Sequence, residues 1–356
     1  SETSTISKDF VNRGFKKVDY SDFADIYVLN TCSVTKNADK EARKLIRQAK
    51  RTNPNARIAI IGCYAQLKPD EIASIEGVDL VLGAENKFNV LTEIDLFDFD
   101  SKTKIVHSPI ENVNIFSPSF SSNDRTRSYL KIQDGCDFYC SFCVIPFARG
   151  PARSRVFDDI IRECVDLVAS GHQEIVVTGI NLGTYEESGR TITDVIKAMS
   201  RIDQLKRIRI SSIEPTTIPD ELLSMMVPGS KLCHYLHIPI QSGSDEVLAG
   251  MSRKYSIQEF RSFITKAKEQ IPKCCIGTDV IVGFPGETKA AFDHTVANLM
   301  TMPIDYFHVF SYSERQYARS KKLDNQVPVE EIKKRSKILR DISKKKKAAF
   351  YEQFIG

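Results

Sequence analysis

The chain has 356 residues, 42% of them hydrophobic and 27% charged, and a net charge of +4. This length and balance suit a soluble protein of two domains and exclude a disordered tail protein, and no apolar run approaches the length needed to cross a membrane. Nine cysteines, an odd count with no secretory signal before them, exclude a disulfide framework and predict a reducing, cytoplasmic compartment.

From the start to about residue 90 the pattern alternates helix and strand. A helix is predicted over 1–12, a strand over 24–29, a polar helix over 37–51, a strand over 57–61, a helix over 69–76 and a strand over 78–82. Strands spaced by helices indicate a parallel sheet in a small α/β domain over 1–100. The weakly periodic, Asp-, Ser-, Asn- and Thr-rich stretch 91–127 reads as connecting chain, with the linker placed at 101–127. A longer alternation then places strands at 129–132, 174–178, 207–211, 235–239, 275–282 and 306–310, with helices over 155–169, 192–202, 257–270 and 289–300. Six βα units over 128–320 are too few for a closed barrel and predict an open partial (β/α)6 one, with function at the C-terminal strand ends. Residues 321–356 hold a long helix over 329–354, with nine cations between Lys333 and Lys347 against the single acid Asp341. Such a run suits a solvated face and a phosphate-contacting one equally.

Directly after the first barrel strand, Cys136, Cys140 and Cys143 form a C-x3-C-x2-C run with Phe142 before the last cysteine. Structural zinc sites show two C-x2-C pairs or Cys/His mixtures, and no partner pair is in range. Three thiolates this close can hold three irons of a 4Fe-4S cluster and leave the fourth iron free. In this spacing the natural occupant of that iron is S-adenosylmethionine, which the cluster reduces to give a 5'-deoxyadenosyl radical. Cys32 and Cys63 each follow a strand of the first domain, at the sheet end where α/β folds bind ligands. Each alone would read as a small buried turn residue; two in equivalent positions suggest a second cluster. The predicted first helix lacks a preceding strand, so a third cysteine is expected upstream of Ser1. Cys164, Cys233, Cys274 and Cys275 read as core or turn residues, and His234 and His237 as structural.

Together with Asn30-Thr31-Cys32-Ser33-Val34-Thr35, the basic helix 42–47 and Gly83-Ala84-Glu85-Asn86-Lys87, these features resemble the methylthiotransferase family of radical S-adenosylmethionine enzymes, most closely its MtaB branch. The resemblance covers nearly the whole chain. It implies a 4Fe-4S cluster on Cys136, Cys140 and Cys143, and a second on Cys32, Cys63 and the upstream ligand. It implies methylthiolation of C2 of N6-threonylcarbamoyladenosine at position 37, in the anticodon stem-loop of tRNA. One S-adenosylmethionine would serve as methyl donor and another as radical source, with an electron donor and a sulfur donor required. Isopentenyladenosine tRNA and a ribosomal-protein aspartate are alternative substrates within the family, and a non-catalytic iron-sulfur tRNA-binding protein is the alternative outside it. The resemblance also places S-adenosylmethionine contacts at Gly179, Asn181, Ser212, Glu214, Gln241 and Gly283, whose glycines would let backbone approach the ligand. Arg149 and Arg155 are expected to neutralise a substrate phosphate or the S-adenosylmethionine carboxylate. An RNA-binding TRAM barrel common to the family is expected but has no counterpart in this chain, and residues 316–320 depart from the family's Gly-containing turn.

Overall fold

A computed structural model describes residues 2–33, 35–96, 102–113, 116–121 and 127–355. Its N-terminal part runs α1 (Glu2–Asn12), β1 (Ile26–Thr31), α2 (Lys36–Thr52), β2 (Arg57–Gly62), α3 (Cys63–Leu67), α4 (Pro69–Ala73), β3 (Leu80–Leu82), α5 (Val90–Asp95) and β4 (Lys104–Val106). The four strands pair in parallel in the order β1-β2-β3-β4. Alternation along β2 divides the core. Ile58 and Ile60 pack under Ile46 and Ala49 of α2, while Ala59 and Ile61 pack under Ile6 of α1, so α1 and α2 lie on opposite faces of the sheet. β1 begins and ends two residues later than the sequence predicts, because Asn30 and Thr31 extend its ladder to Ile61 and Gly62.

The stretch read as a linker is partly structured. Leu80, Val81 and Leu82 pair with Lys104, Ile105 and Val106, so β4 completes the sheet. Three residues are too few for alternation to show in sequence. Ser119 and Ser121 bond the Lys131 amide and the Tyr129 carbonyl and cover the edge of the barrel. Residues 101, 114–115 and 122–126 of that stretch lie outside the described residues.

The second part runs β5 (Ser128–Lys131), β6 (Gln133–Asp134), α6 (Ile145–Arg149), β7 (Arg153–Ser154), α7 (Phe157–Ala169), β8 (Glu174–Thr178) and the small hairpin β9 (Glu186–Glu187) and β10 (Arg190–Thr191). It continues with α8 (Ile192–Ser200), β11 (Arg207–Ile210), α9 (Asp220–Ser224), β12 (Tyr235–His237), α10 (Asp245–Gly250), α11 (Ile257–Gln270), β13 (Cys275–Val282), α12 (Lys289–Thr301), β14 (Tyr306–Ser311) and α13 (Val329–Glu352). Strands β5, β8 and β11 form one parallel sheet and β12, β13 and β14 another. Parallel bridges Ile208–Leu232 and Ser212–His237 join them into the expected open six-stranded barrel. α13 lies along β14, where the Ser343 hydroxyl donates to the Phe307 carbonyl at 2.7 Å. No helix among the described residues is long and apolar enough to cross a membrane.

Candidate active site

The Cys136–Cys143 loop leaves the end of β6 through Gly135, which has φ +73°. A Cβ there would lie 1.8 Å from the Pro151 carbonyl oxygen, so only glycine fits. Gln133 fixes the start of the loop, its Nε2 donating to the Asp134 and Gly135 carbonyls. Ser141 fixes the middle, its amide and hydroxyl donating to the Met251 and Gly250 carbonyls at 3.0 and 2.7 Å.

The Ile145 amide points at Cys143 Sγ (3.4 Å), and Arg253 Nη1 donates to Cys140 Sγ at 3.2 Å. N–H donors aimed at sulfur are the outer-shell contacts that support ligating thiolates. Burial pushes the thiols up, Cys136 to about 11 and Cys143 to about 12, so binding iron must displace their protons. Four sulfurs around one zinc would sit about 3.8 Å apart, given Zn–S near 2.3 Å. The three cysteine sulfurs do not form a group within 4.8 Å of one another. The donor set therefore fits a multi-iron cluster better than a single ion.

Arg253 carries the site outward. Its buried guanidinium also pairs with Glu214 and donates to the Tyr255 hydroxyl, which ties Glu214 to the cluster loop. Phe142, Cys143, Gln241, Asp279, Tyr312 and Thr35 line a cavity of about 190 Å³. Gln241 has φ +67°, its amide donating to the Asp279 carbonyl and its carbonyl accepting from Ile281. Asp279 also meets His237 (Nε2 to Oδ2, 3.0 Å), and with His308 their donor atoms lie within 4.8 Å of one another. Arg253, Asp279 and His308 belong to no motif in the sequence. A lone carboxylate in the apolar run of β13 was the one available signal.

Several expected ligand contacts are engaged elsewhere. The Ile180 and Asn181 amides beside Gly179 both donate to Gln133 Oε1, so this strand end braces the cysteine loop. Asn181 Oδ1 accepts from the Gly183 and Glu214 amides, whereas its buried Nδ2 has no partner among the described residues. Ser212 spends its carbonyl on the Leu182 amide. Gly283 faces α13, where a Cβ would meet Ile332 at 2.3 Å, so its glycine serves helix packing. Arg155 is buried against Glu163 at 3.3 Å and its carbonyl accepts from the Tyr185 hydroxyl, while its buried Nη1 has no partner among the described residues.

Cys32 and Cys63 follow adjacent parallel strands whose ends, Thr31 and Gly62, are in register. Cys32 is exposed and Cys63 buried. α3, which starts at Cys63, packs on α6, which starts two residues after Cys143. Cys63, Leu67, Val144 and Ala148 share an apolar cluster with Ala318. Tyr317 stacks on Phe147 and donates to the Leu67 carbonyl at 3.0 Å. The segment 316–320 thus closes the seam between the two cysteine sites. Arg315 locks it further, pairing with Asp39 at 2.8 Å and donating to Ser33.

Beneath that seam lies a buried ion network. Glu2 Oε1 accepts from Lys87 (2.7 Å), Lys131 (3.0 Å) and Arg149 (3.2 Å), and Asp134 pairs with Lys131 and Arg149 at 2.9 and 3.0 Å. Arg149 is thus committed within the protein, with Cys63 near enough to feel its charge, and is not a free cation for a substrate. Burial raises the Glu2 and Asp134 carboxyls, but Arg149 and the two lysines outweigh it and hold both well below the ordinary range. Three cations face two carboxylates, and burial pulls the Lys87 ammonium down. An anionic centre at Cys63 would balance that excess, whereas burial alone pushes its thiol up.

Residues 130–299 match the Radical SAM superfamily, and residues 1–83 match Uncharacterized protein family UPF0004. The chain is 40% identical to threonylcarbamoyladenosine tRNA methylthiotransferase MtaB of Bacillus subtilis, covering 92% of this chain and 73% of that one. It is 36% identical to the Aquifex aeolicus MtaB over 100% and 87% of the two chains. It is also 33% identical to the tRNA-2-methylthio-N(6)-dimethylallyladenosine synthase of Endomicrobium trichonymphae, over 96% and 80%. Among solved structures, the radical S-adenosylmethionine methyltransferase TsrM of Kitasatospora setae shares the fold, with a TM-score of 0.64 at 14% identity over 87% of this chain and 71% of that one. A cluster-shaped cysteine loop at the mouth of a partial barrel, joined to relatives this similar over nearly its full length, makes the chain an enzyme that uses S-adenosylmethionine and 4Fe-4S clusters and a member of the radical S-adenosylmethionine methylthiotransferase family.

Proposed function

We propose that this enzyme replaces the hydrogen on C2 of N6-threonylcarbamoyladenosine, at position 37 of a tRNA anticodon stem-loop, with a methylthio group. The observation that carries this reading is the facing of two cysteine sites across the α3–α6 seam over a cation-rich buried network. One site alone would leave sulfur unsupplied. Cys136, Cys140 and Cys143 hold the first 4Fe-4S cluster, and Cys32 and Cys63 contribute two thiolates to a second. With S-adenosylmethionine bound, the first cluster supplies a carbon radical able to take hydrogen from C2, which no side-chain base of ordinary strength removes.

This chain's residues then orient and protect. Arg253 steadies Cys140 and Glu214, and Asn181 Nδ2 offers a buried donor to S-adenosylmethionine. Phe142, Gln241 and Asp279 wall the cavity that receives the base. Arg149 counters the charge of the centre at Cys63. One S-adenosylmethionine donates the methyl group and a second gives the radical. An electron donor and a sulfur donor complete the reaction, in the cytoplasm where tRNA is found.

The test incubates full-length, cluster-reconstituted protein with modified tRNA, reductant and S-adenosylmethionine, followed by mass spectrometry of nucleosides. Methylthiolated threonylcarbamoyladenosine is expected; mass gain on isopentenyladenosine instead would overturn the substrate assignment. Cys63→Ala is expected to retain production of 5'-deoxyadenosine and lose methylthiolation. Normal methylthiolation by that variant would remove the second centre from the reading.

A further inference from the structure

Thr35 caps α2, its hydroxyl accepting from the Ala38 amide, and the same residue lines the catalytic cavity beside Cys143 and Gln241. The helix therefore starts at the cavity wall and runs away from it. Along its outer side stand Lys40, Lys44, Arg47 and Arg51, all exposed. Their spacing of four, three and four residues keeps them within about 60° of one face and spreads them over about 16 Å.

The apolar side of the helix, with Ile46 and Ala49, is spent on the sheet. Two other cations of α2 have internal work. Arg43 pairs with Glu71 and donates to the Tyr64 hydroxyl, and Lys50 donates to the Ala56 carbonyl. Lys40, Arg47 and Arg51 have no ion pair among the described residues, and Lys44 has only Glu41 at 3.9 Å. Lys44, Arg47 and Arg51 border an open groove whose floor is Ser74, Ile75, Glu76 and Gly77, with Glu76 its one acid. On α13, Lys333 and Lys337 pair with Glu330 and Asp341, while Lys334, Lys344 and Lys345 are exposed without an ion pair among the described residues; of the two helices it is α2 whose start lines the cavity.

We propose that this outer face of α2 is the docking surface for the sugar-phosphate backbone of the RNA substrate, laying the strand so that the base to be modified reaches the cavity at Thr35. The proposal rests on the tRNA reading given above. Four cations in a row fit a polyanionic strand rather than a single phosphate, and the groove floor lacks the exposed aromatic or aliphatic row with which a helix enters a membrane surface.

The test measures binding of a fluorescent anticodon stem-loop carrying N6-threonylcarbamoyladenosine to the full-length protein, by anisotropy at about 50 to about 200 mM salt. Arg47→Glu/Arg51→Glu is expected to weaken binding about tenfold or more and to lower the slope of log K against log salt by about 2, close to 1 for each lost phosphate contact. Arg47→Ala/Arg51→Ala should fall between it and the wild type. Lys16→Glu/Lys17→Glu, exposed in the connection after α1, makes the same charge change away from α2 and should bind as the wild type does. All three variants should cleave S-adenosylmethionine without RNA at the wild-type rate. If the wild type binds the RNA and the α2 variants match it in affinity and slope, the docking surface is wrong while the tRNA reading stands. If the wild type binds no RNA, or binds anionic phosphatidylserine vesicles through these residues instead, both fall.

Discussion

Cys140→Ala is expected to reduce cleavage of S-adenosylmethionine to background, read as 5'-deoxyadenosine formed under reduction. Each of the three thiolates holds one iron, so removing one leaves an iron without its anchor. Cys140 is also the sulfur that receives Arg253 Nη1, and through Arg253 it connects to Glu214. Arg253→Gln removes that outer contact but no iron ligand, and should lower activity or cluster retention only about 10- to 100-fold. Cys164→Ala is the control. That thiol is buried in α7, where burial pushes it up to about 12, and its loss opens a small core cavity without touching the cluster loop. Residual cleavage by Cys140→Ala near the level of Arg253→Gln would mean that the loop does not hold its cluster through this triad.

The difference between Cys140 and Arg253 also shows how far sequence reasoning reaches. The cysteine triad is legible because its chemistry is contained in eight consecutive residues. Arg253 lies 113 residues from the sulfur it touches and in no motif, so only the fold brings it there. Gly283 and Arg149 show the converse. A glycine two residues before a proline and a cation after a cluster loop both look like ligand contacts, yet Ile332 claims the one and Glu2 and Asp134 the other. β8 is legible because both of its faces are buried and it reads as an apolar run, and β11 because its arginines and isoleucines alternate with period two. β4 is not, since it is only three residues long and none of the three is fully buried. His237 read as structural on its own; Asp279 and His308, from two later strands, put it in a polar group on the barrel wall.

Arg149→Met is expected to separate two roles of one side chain. Without clusters, the loss is that of two charge-assisted bonds, to Glu2 and Asp134, which Lys87 and Lys131 partly cover. The remaining two cations and two carboxylates balance. A cost of about 2 kcal/mol in denaturant unfolding follows, below the 3–5 kcal/mol of stranding a buried charge. Acid sensitivity should change as well. Glu2 and Asp134 have depressed pKa values, so their stabilisation is present above the ordinary carboxylate range near pH 4 and is lost as pH falls below it. Removing Arg149 raises both folded-state values, which leaves less to lose, so stability should fall less steeply with acid than in the wild type. With clusters the balance reverses. The centre at Cys63 then loses the neighbouring guanidinium charge, and iron content should drop by up to one cluster while 5'-deoxyadenosine formation persists. Arg149→Lys keeps the charge without the planar fork and should restore part of the iron. Equal iron in the wild type and Arg149→Met would show that the network serves folding alone, because a purely structural ion pair has no reason to discriminate between the empty and the loaded protein.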